Sequence, residues 1–406
     1  RPGSIERNVM TCDVGQPRDF PFGEIRRLEM SPVYTELRKN EPVSRVRMPF
    51  GGVAWLVTRA ADIKAAYADP RFSRAATLGQ DIPRMVPTVD EDLSLLSMDP
   101  PDHTRLRKLV AKEFTAHRVA QLREKTQALV NGLLDQMTQR GAPADIMHDF
   151  AVPTSLTVIC ELLGVPVDDR PKFVAWTTAA LSTELDQIES AMRSLLSYFG
   201  ELAERRVDNP TDDLLGALVR ARDEQGRLST DELVKLGFVL LIGGFETVAN
   251  SVSNAVYTLL TRPDQLALLR ADPGLVPQAV EECLRYLPIS TGTGIPRVAL
   301  EDVELGGVLI RAGDTVFMDE PCANRDESVF DRADIFDITR SHNPHLAFGY
   351  GIHRCIGAEL ARMEMQVALS SLLARFPGLK LAVDADEVPW QKGHLTRAPL
   401  TLPVAW

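Results

Sequence analysis

His345-Leu346-Ala347-Phe348-Gly349-Tyr350-Gly351-Ile352-His353-Arg354-Cys355-Ile356-Gly357 places one cysteine in a glycine-rich loop that opens directly onto a long apolar-periodic segment. Thiolate is a strong, electron-rich ligand for iron, and a helix N-terminus beside it stabilises negative charge. Gly351 and Gly357 are expected to let backbone approach a flat cofactor and to spare the turn the cost of positive φ. The N–H groups they leave open can then point at the sulfur. The plain alternative for Cys355 is a buried apolar side chain, the usual fate of a free cysteine.

The spaced set Phe348, Gly351, His353, Cys355 and Gly357 resembles the haem-binding loop of the cytochrome P-450 family, in which a Cys thiolate ligates haem iron and pushes electron density towards O–O cleavage. The resemblance runs from about Phe22 to Trp406. It implies a mainly α fold with small β-sheets, the haem lying between a long central helix and the helix that follows the cysteine loop. Residues 1–20 are expected to form a flexible leader and 21–406 a single domain. A chain of 406 residues would by length alone be given two or three domains, but no Pro-, Gly- or Ser-rich linker marks a cut.

Composition narrows the function classes. A net charge of −11 argues against a nucleic-acid partner, whose footprint is basic. Cys12, Cys160, Cys283, Cys322 and Cys355 are scattered with no CxxC pair, which favours neither a zinc site nor a disulfide framework and fits a reducing cytoplasm. No run of 18 apolar residues stands out, so no membrane anchor is expected. His342 and His345 invite a metal reading, but Asn343-Pro344 breaks a helical presentation of the pair.

Outward from the loop, Ser229-Thr230-Asp231-Glu232 is a capping box, and the helical pattern it opens runs to Arg262-Pro263. Gly243-Gly244 interrupts this pattern at a cost of about 1 kcal/mol each. Thr247 follows them at i+4 and i+3, on the face they leave bare. The resemblance implies that this groove takes dioxygen on iron, with Glu246 relaying protons and Thr247 holding one. A helix crossing with a satisfied threonine is the alternative.

His103 and Arg107 lie within about 40° on a helical wheel, in a helix opened by Asp99-Pro100-Pro101-Asp102. The resemblance assigns them, with Arg297, to the haem propionates. Arg105, Lys108 and Lys112 fall on the opposite side, as a solvated face or a docking patch for an acidic ferredoxin. Glu282 and Arg285 form an i, i+3 pair, a surface ion pair by composition and a buried brace of the haem loop by resemblance. Relatives often add an arginine near Asp334-Ile335-Phe336-Asp337; Arg340 and His345 are the two candidates to stand in for it. Val239, Gly243, Thr293 and Leu395 are the expected substrate contacts. Phe72–Met98 reads as a long loop over the substrate, and Trp176, Leu181 and Thr183 fall where the family has a mobile lid. Asp319 and Glu320 depart from the family pattern, as a solvated loop or as a partner for a cationic substrate group.

The resemblance therefore implies a haem b monooxygenase with a Cys thiolate ligand. It would hydroxylate or epoxidise a hydrophobic secondary metabolite, as macrolide- and polyketide-tailoring members do in antibiotic biosynthesis. Dioxygen is the co-substrate, and a separate ferredoxin or flavodoxin with its reductase supplies electrons to a monomer. A peroxygenase, a nitric oxide reductase or a haem sensor remain alternatives, and Glu246-Thr247 speaks against the first two.

Overall fold

The computed structural model describes residues 16–87, 89, 94–180, 184–223, 227–290, 294–392 and 395–406. The chain starts with β1 (Arg18–Asp19), α1 (Pro32–Asn40), β2 (Val43–Arg47), β3 (Val53–Val57), α2 (Ala60–Ala68) and β4 (Phe72–Ser73). Helices then dominate: α3 (Asp102–Ala111) and α4 (Ala116–Arg140) are followed, after β5 (Ala144–Asp145), by α5 (Val152–Leu163), α6 (Arg170–Ala180), α7 (Leu185–Asp208), α8 (Leu214–Asp223), α9 (Thr230–Leu260), α10 (Pro263–Ala271) and α11 (Val276–Tyr286). Strands β6 (Arg297–Ala299), β7 (Val303–Leu305), β8 (Val308–Ile310) and β9 (Thr315–Met318) lead through α12 (Glu320–Ala323) to the cysteine loop. Helix α13 (Ala358–Arg375), β10 (Lys380–Leu381) and β11 (Pro403–Ala405) complete the chain.

Helix α9 is the axis. Its capping box forms as expected, with Glu232 N–H donating to Ser229 Oγ at 3.1 Å and Ser229 N–H to the Glu232 carboxylate at 2.7 Å. Most of its later residues are buried, which a helix hydrophobic all round requires. The paired glycines separate in function. A Cβ on Gly244 would lie 2.7 Å from Ile159 Cδ1 on α5, so Gly244 lets two helices cross, whereas a Cβ on Gly243 would meet nothing within 4 Å.

The strands form a six-stranded sheet in the order β1-β2-β3-β9-β6-β4, a three-stranded sheet β10-β11-β5 and the pair β7-β8. In the first, Phe72 pairs with Ala299 and Ser73 with Val298, and the chain then leaves the sheet at Arg74, which opens the 3₁₀ turn Ala75–Thr77.

Several expectations change. Part of the expected leader is structured, because Arg18 and Asp19 pair with Val46 and Arg47 and Phe20 is buried. The stretch 72–98 is partly tied down, by β4, by the 3₁₀ turns Ala75–Thr77 and Ser94–Leu96, and by a bridge from Arg84 to Phe50. Of the expected lid residues, Trp176 lies on α6, whereas Leu181 and Thr183 lie outside the described residues. Ile146–Leu163 is an 18-residue stretch with mean hydropathy 1.3, but 67% of it is buried, because α5 packs on α9.

Glu282 and Arg285 are fully buried and meet at 2.7 and 2.8 Å in a two-point fork. The remaining Arg285 donors reach the carbonyls of Asn324, Ala333 and Ile335. Arg340, one of the two candidate substitutes, donates to Glu282 at 3.3 Å; His345 does not. The pair thus braces the 324–340 segment before the loop. Replacing Arg285 with Ala removes the two-point partner of a buried carboxylate, leaving it to Arg340, Asn343 and the Asp337 N–H, and strips donors from three carbonyls, which costs about 3 kcal/mol. The urea midpoint should fall accordingly, and an unchanged midpoint would contradict this account.

Candidate active site

Cys355 sits two residues before Gly357, the N-cap of α13, where a helix N-terminus favours negative charge. The loop folds back so that Cys355 N–H donates to Phe348 C=O at 2.8 Å. Gly351, at φ 71°, is pressed on α2: a Cβ there would lie 2.9 Å from Tyr67 C=O. Gly357 was expected to need positive φ as well, but its φ is −86°. The second left-handed glycine of the loop is Gly349, at φ 68°. Burial pushes the Cys355 thiol up, opposed by a hydrogen bond from Gly357 N–H and by the charges of Arg107, Arg354 and Arg362.

The loop is fixed by a residue the sequence reading passed over. Glu281 accepts from His345 at 3.0 Å and from Arg362 at 2.7 and 3.0 Å, joining α11, the start of the loop and α13. The Arg362 guanidinium also lies 4.7 Å from the centre of the Phe348 ring. Burial works to raise the Glu281 carboxyl, but the His345 and Arg362 hydrogen bonds outweigh it and bring the value down from 4.5 to about 2.

A cluster of cationic and imidazole groups adjoins the loop. The His103 and His353 rings are 4.2 Å apart. Burial, then the charges of neighbouring arginines, pushes His103 down to about 4 and His353 to about 2, so both are neutral. Arg297 lies 4.8 Å from the Tyr67 ring centre and donates to Phe72 C=O at 3.1 Å. Arg74, at the 3₁₀ turn after β4, is close enough that burial followed by the Arg297 charge pushes it down to about 10. Like charges held close in a buried site repel. Both His103 ring nitrogens, His353 Nε2, Arg297 Nε and Nη2, and Arg74 Nε are buried without partners. Orphaned donors around neighbouring guanidiniums fit the two carboxylates of a haem, with the sulfur of Cys355 as the iron ligand.

Other expected residues fall differently. Arg107 donates to Arg354 C=O, which commits one of its nitrogens to the cysteine loop. Arg105 is no docking residue: it pairs with Glu232 and Asp102 and donates to Arg227 C=O, tying α3 to the start of α9. Lys108 and Lys112 are exposed. Neither reading of Asp319 and Glu320 holds. Asp319 is buried and caps Cys322 N–H at 2.8 Å. Glu320 accepts from Tyr67 and interacts with the charges of Arg74 and Arg297, so it is not free for a cationic substrate.

On α9, Thr247 Oγ1 donates to Gly243 C=O at 2.7 Å, beside the open Gly243 face. Glu246 is buried and its Oε1 accepts from Thr396 at 2.6 Å and Asn250 at 3.3 Å. Val239 is buried and Leu395 is exposed. Thr293 lies outside the described residues.

A thiol at a helix N-terminus, a socket of unpaired donors and an acid–threonine pair on a long central helix together define a haem-thiolate protein. The family model described as Cytochrome P450 matches residues 165–399. Nocardicin C N-oxygenase of Nocardia uniformis subsp. tsuyamanensis is 50% identical over 96% of this chain and 98% of its own. Mycinamicin IV hydroxylase/epoxidase of Micromonospora griseorubida is 46% identical over 96% and 99%. The crystal structure of the LnmA cytochrome P450 hydroxylase of the leinamycin pathway of Streptomyces atroolivaceus superposes with TM-score 0.90 at 50% identity, covering 96% of this chain and 100% of that one. The chain belongs to the cytochrome P450 family. It is a monooxygenase that uses haem b, held through a cysteine thiolate, and dioxygen. Bacterial members of this type bind small substrates and take electrons from ferredoxin and reductase partners.

The Glu281 carboxyl lies below its ordinary value, so its contribution to stability is complete above about pH 4.5 and disappears as pH falls towards about 2. Substituting Glu281 with Gln should cost on the order of 3 kcal/mol near neutrality. The gap between wild type and variant should close as acid titrates the site, as urea unfolding at several pH values would show.

Proposed function

We propose that the enzyme hydroxylates or epoxidises a hydrophobic natural product of the macrolide or polyketide kind. The names of the mycinamicin and leinamycin relatives support this reading. Nitrogen oxygenation is the second reading, favoured by the name of the nocardicin relative. The single observation that carries the chemistry is Cys355 at the N-terminus of α13 with its thiol beside Gly357 N–H and three guanidiniums.

When bound, haem supplies reductive activation of dioxygen and transfer of one oxygen atom to the substrate. The chain's part is to bind, orient and handle protons. Cys355 would hold the iron, and His103, His353, Arg297 and Arg107 would hold the carboxylates. Arg74 would join them, and Glu320 with Tyr67 balances the charge of the two neighbouring arginines. Phe348, Gly351 and Gly357 shape the loop that carries Cys355, and Gly243 leaves a face of α9 open. Glu246 accepts protons from the solvent side, and Thr247 holds one at Oγ1. Val239, Leu395 and Thr293 border the substrate. Glu282 and Arg285 are structural.

Residues 21–406 form one domain in this reading, supported by a large apolar core running from Leu95 to Val404 and by two smaller clusters that each join residues before 73 to residues after 298. A thiol ligand and a reduced ferredoxin partner favour the cytoplasm.

The reduced protein under carbon monoxide should show the red-shifted Soret band of thiolate ligation, and Cys355→His should lose it. Thr247→Ala should release most consumed dioxygen as peroxide; full coupling in that variant would remove Thr247 from proton delivery. Titration with mycinamicin IV and with nocardicin C, read as a spin-state shift, separates the two substrate readings.

A further inference from the structure

The acid on the central helix is held from outside that helix. Thr396 Oγ1 donates to Glu246 Oε1 at 2.6 Å, within the range of a charge-assisted O–H···O⁻ bond. Asn250, one turn further along α9, donates to the same oxygen at 3.3 Å. A buried carboxylate needs such donors, and Glu246 is 9% exposed.

Thr396 is itself fixed on two sides. Its backbone bridges Ser290, and the adjoining Arg397 N–H donates to Ile289 C=O at 2.8 Å. Asn254, two turns beyond Glu246, donates to Arg397 C=O at 2.8 Å. The turn is therefore clamped to the 289–290 segment and to α9 independently of the Thr396 hydroxyl. That hydroxyl adds one thing: it sets where the Glu246 carboxylate sits. Beside it, Leu395 presents open surface.

We propose that Thr396 is the positioning residue for proton delivery, parking the Glu246 carboxylate against the 289–290 and 395–397 segments until it turns towards Thr247. The proposal rests on the reading of Glu246 as the proton-delivering acid. The step moves one proton and no electron. Glu246 takes the proton at a carboxylate oxygen and gives it to Thr247 Oγ1, whose own hydroxyl proton passes to dioxygen under reduction. The Thr396 hydroxyl keeps its proton throughout. Because the turn touches the segment leading towards Thr293, a molecule pressing on that segment bears on the acid without contacting it.

The test compares wild type, Thr396→Val, Thr396→Ser, Glu246→Gln and the Thr396→Val/Glu246→Gln double variant as haem-loaded proteins. A plant-type ferredoxin and its reductase supply electrons, with dioxygen as the oxidant. The readouts are the fraction of consumed dioxygen released as peroxide and the ratio of dioxygen consumption rates in H₂O and D₂O. Thr396→Val is isosteric and keeps the backbone bridge, so equal carbon monoxide difference spectra report equal folded content. Thr396→Val should slow the proton-dependent step roughly tenfold, equivalent to about 1.4 kcal/mol, with a higher peroxide fraction and an altered isotope ratio. Thr396→Ser should restore both, and the double variant should match Glu246→Gln, since two residues acting through one group are not additive. If Glu246→Gln uncouples but Thr396→Val behaves as wild type, the positioning role is wrong and the acid's role stands. If Glu246→Gln itself behaves as wild type, the reading beneath the proposal is wrong. Loss in Thr396→Val that Thr396→Ser fails to restore also overturns it, by showing a packing effect.

Discussion

A thiol crowded by protein atoms tends to keep its proton even where, as at Cys355, the residue is open on one side, and the groups around the 345–357 loop work against that tendency. Desolvation alone would leave Cys355 a neutral thiol. Against it stand the dipole of α13, the N–H of Gly357 and the charges of Arg107, Arg354 and Arg362. These contributors come from three separate parts of the chain, so the loop must be held to tight tolerances. The Glu281 latch supplies that hold, since one carboxylate joins His345 ahead of the sulfur to Arg362 behind it. The more buried Glu282 and Arg285 pair acts one layer out, on the 324–340 segment that supports the latch.

The same logic runs in reverse in the carboxylate socket. Two neighbouring guanidiniums repel one another, and two imidazoles there are held neutral, by burial first and by the surrounding positive charge second. Such a cluster is poor for stability by itself and good for receiving anions. Tyr67 and Glu320 relieve part of the repulsion from within the fold. Stability given up at this point is what makes the site selective for a doubly carboxylated ring.

The sequence was most legible where chemistry is local. The capping box at Ser229, the length of α9 and the cysteine loop all depend on residues close together in the chain, and each lies where its spacing places it. His103 and His353, both marked by motif, meet as neighbours. Arg74 and Tyr67 carry no such signal, and Glu320 stands out only as a departure from the family pattern, because β4–β6 pairing and the end of β9 assemble them from distant segments. Glu281 was hidden by its neighbour: the i, i+3 pattern draws attention to Glu282, and one step around the helix changes the partner from Arg285 to His345. Gly243 and Gly244 read as a unit, yet only the packing of Ile159 reveals that one serves a crossing and the other an opening.

Strand β11 has a consequence for folding order. It lies between β10 and β5, pairing Val404 with both Leu381 and Ala144, and Leu402 exchanges hydrogen bonds with Ile146 and Asp145. The segment entering α5, and through α5 the crossing at Gly244, is thus closed by partners 257 positions away along the chain. The entropy of bringing such distant segments together is lost before their pairing rewards it, so this strap is a late, slow step of assembly.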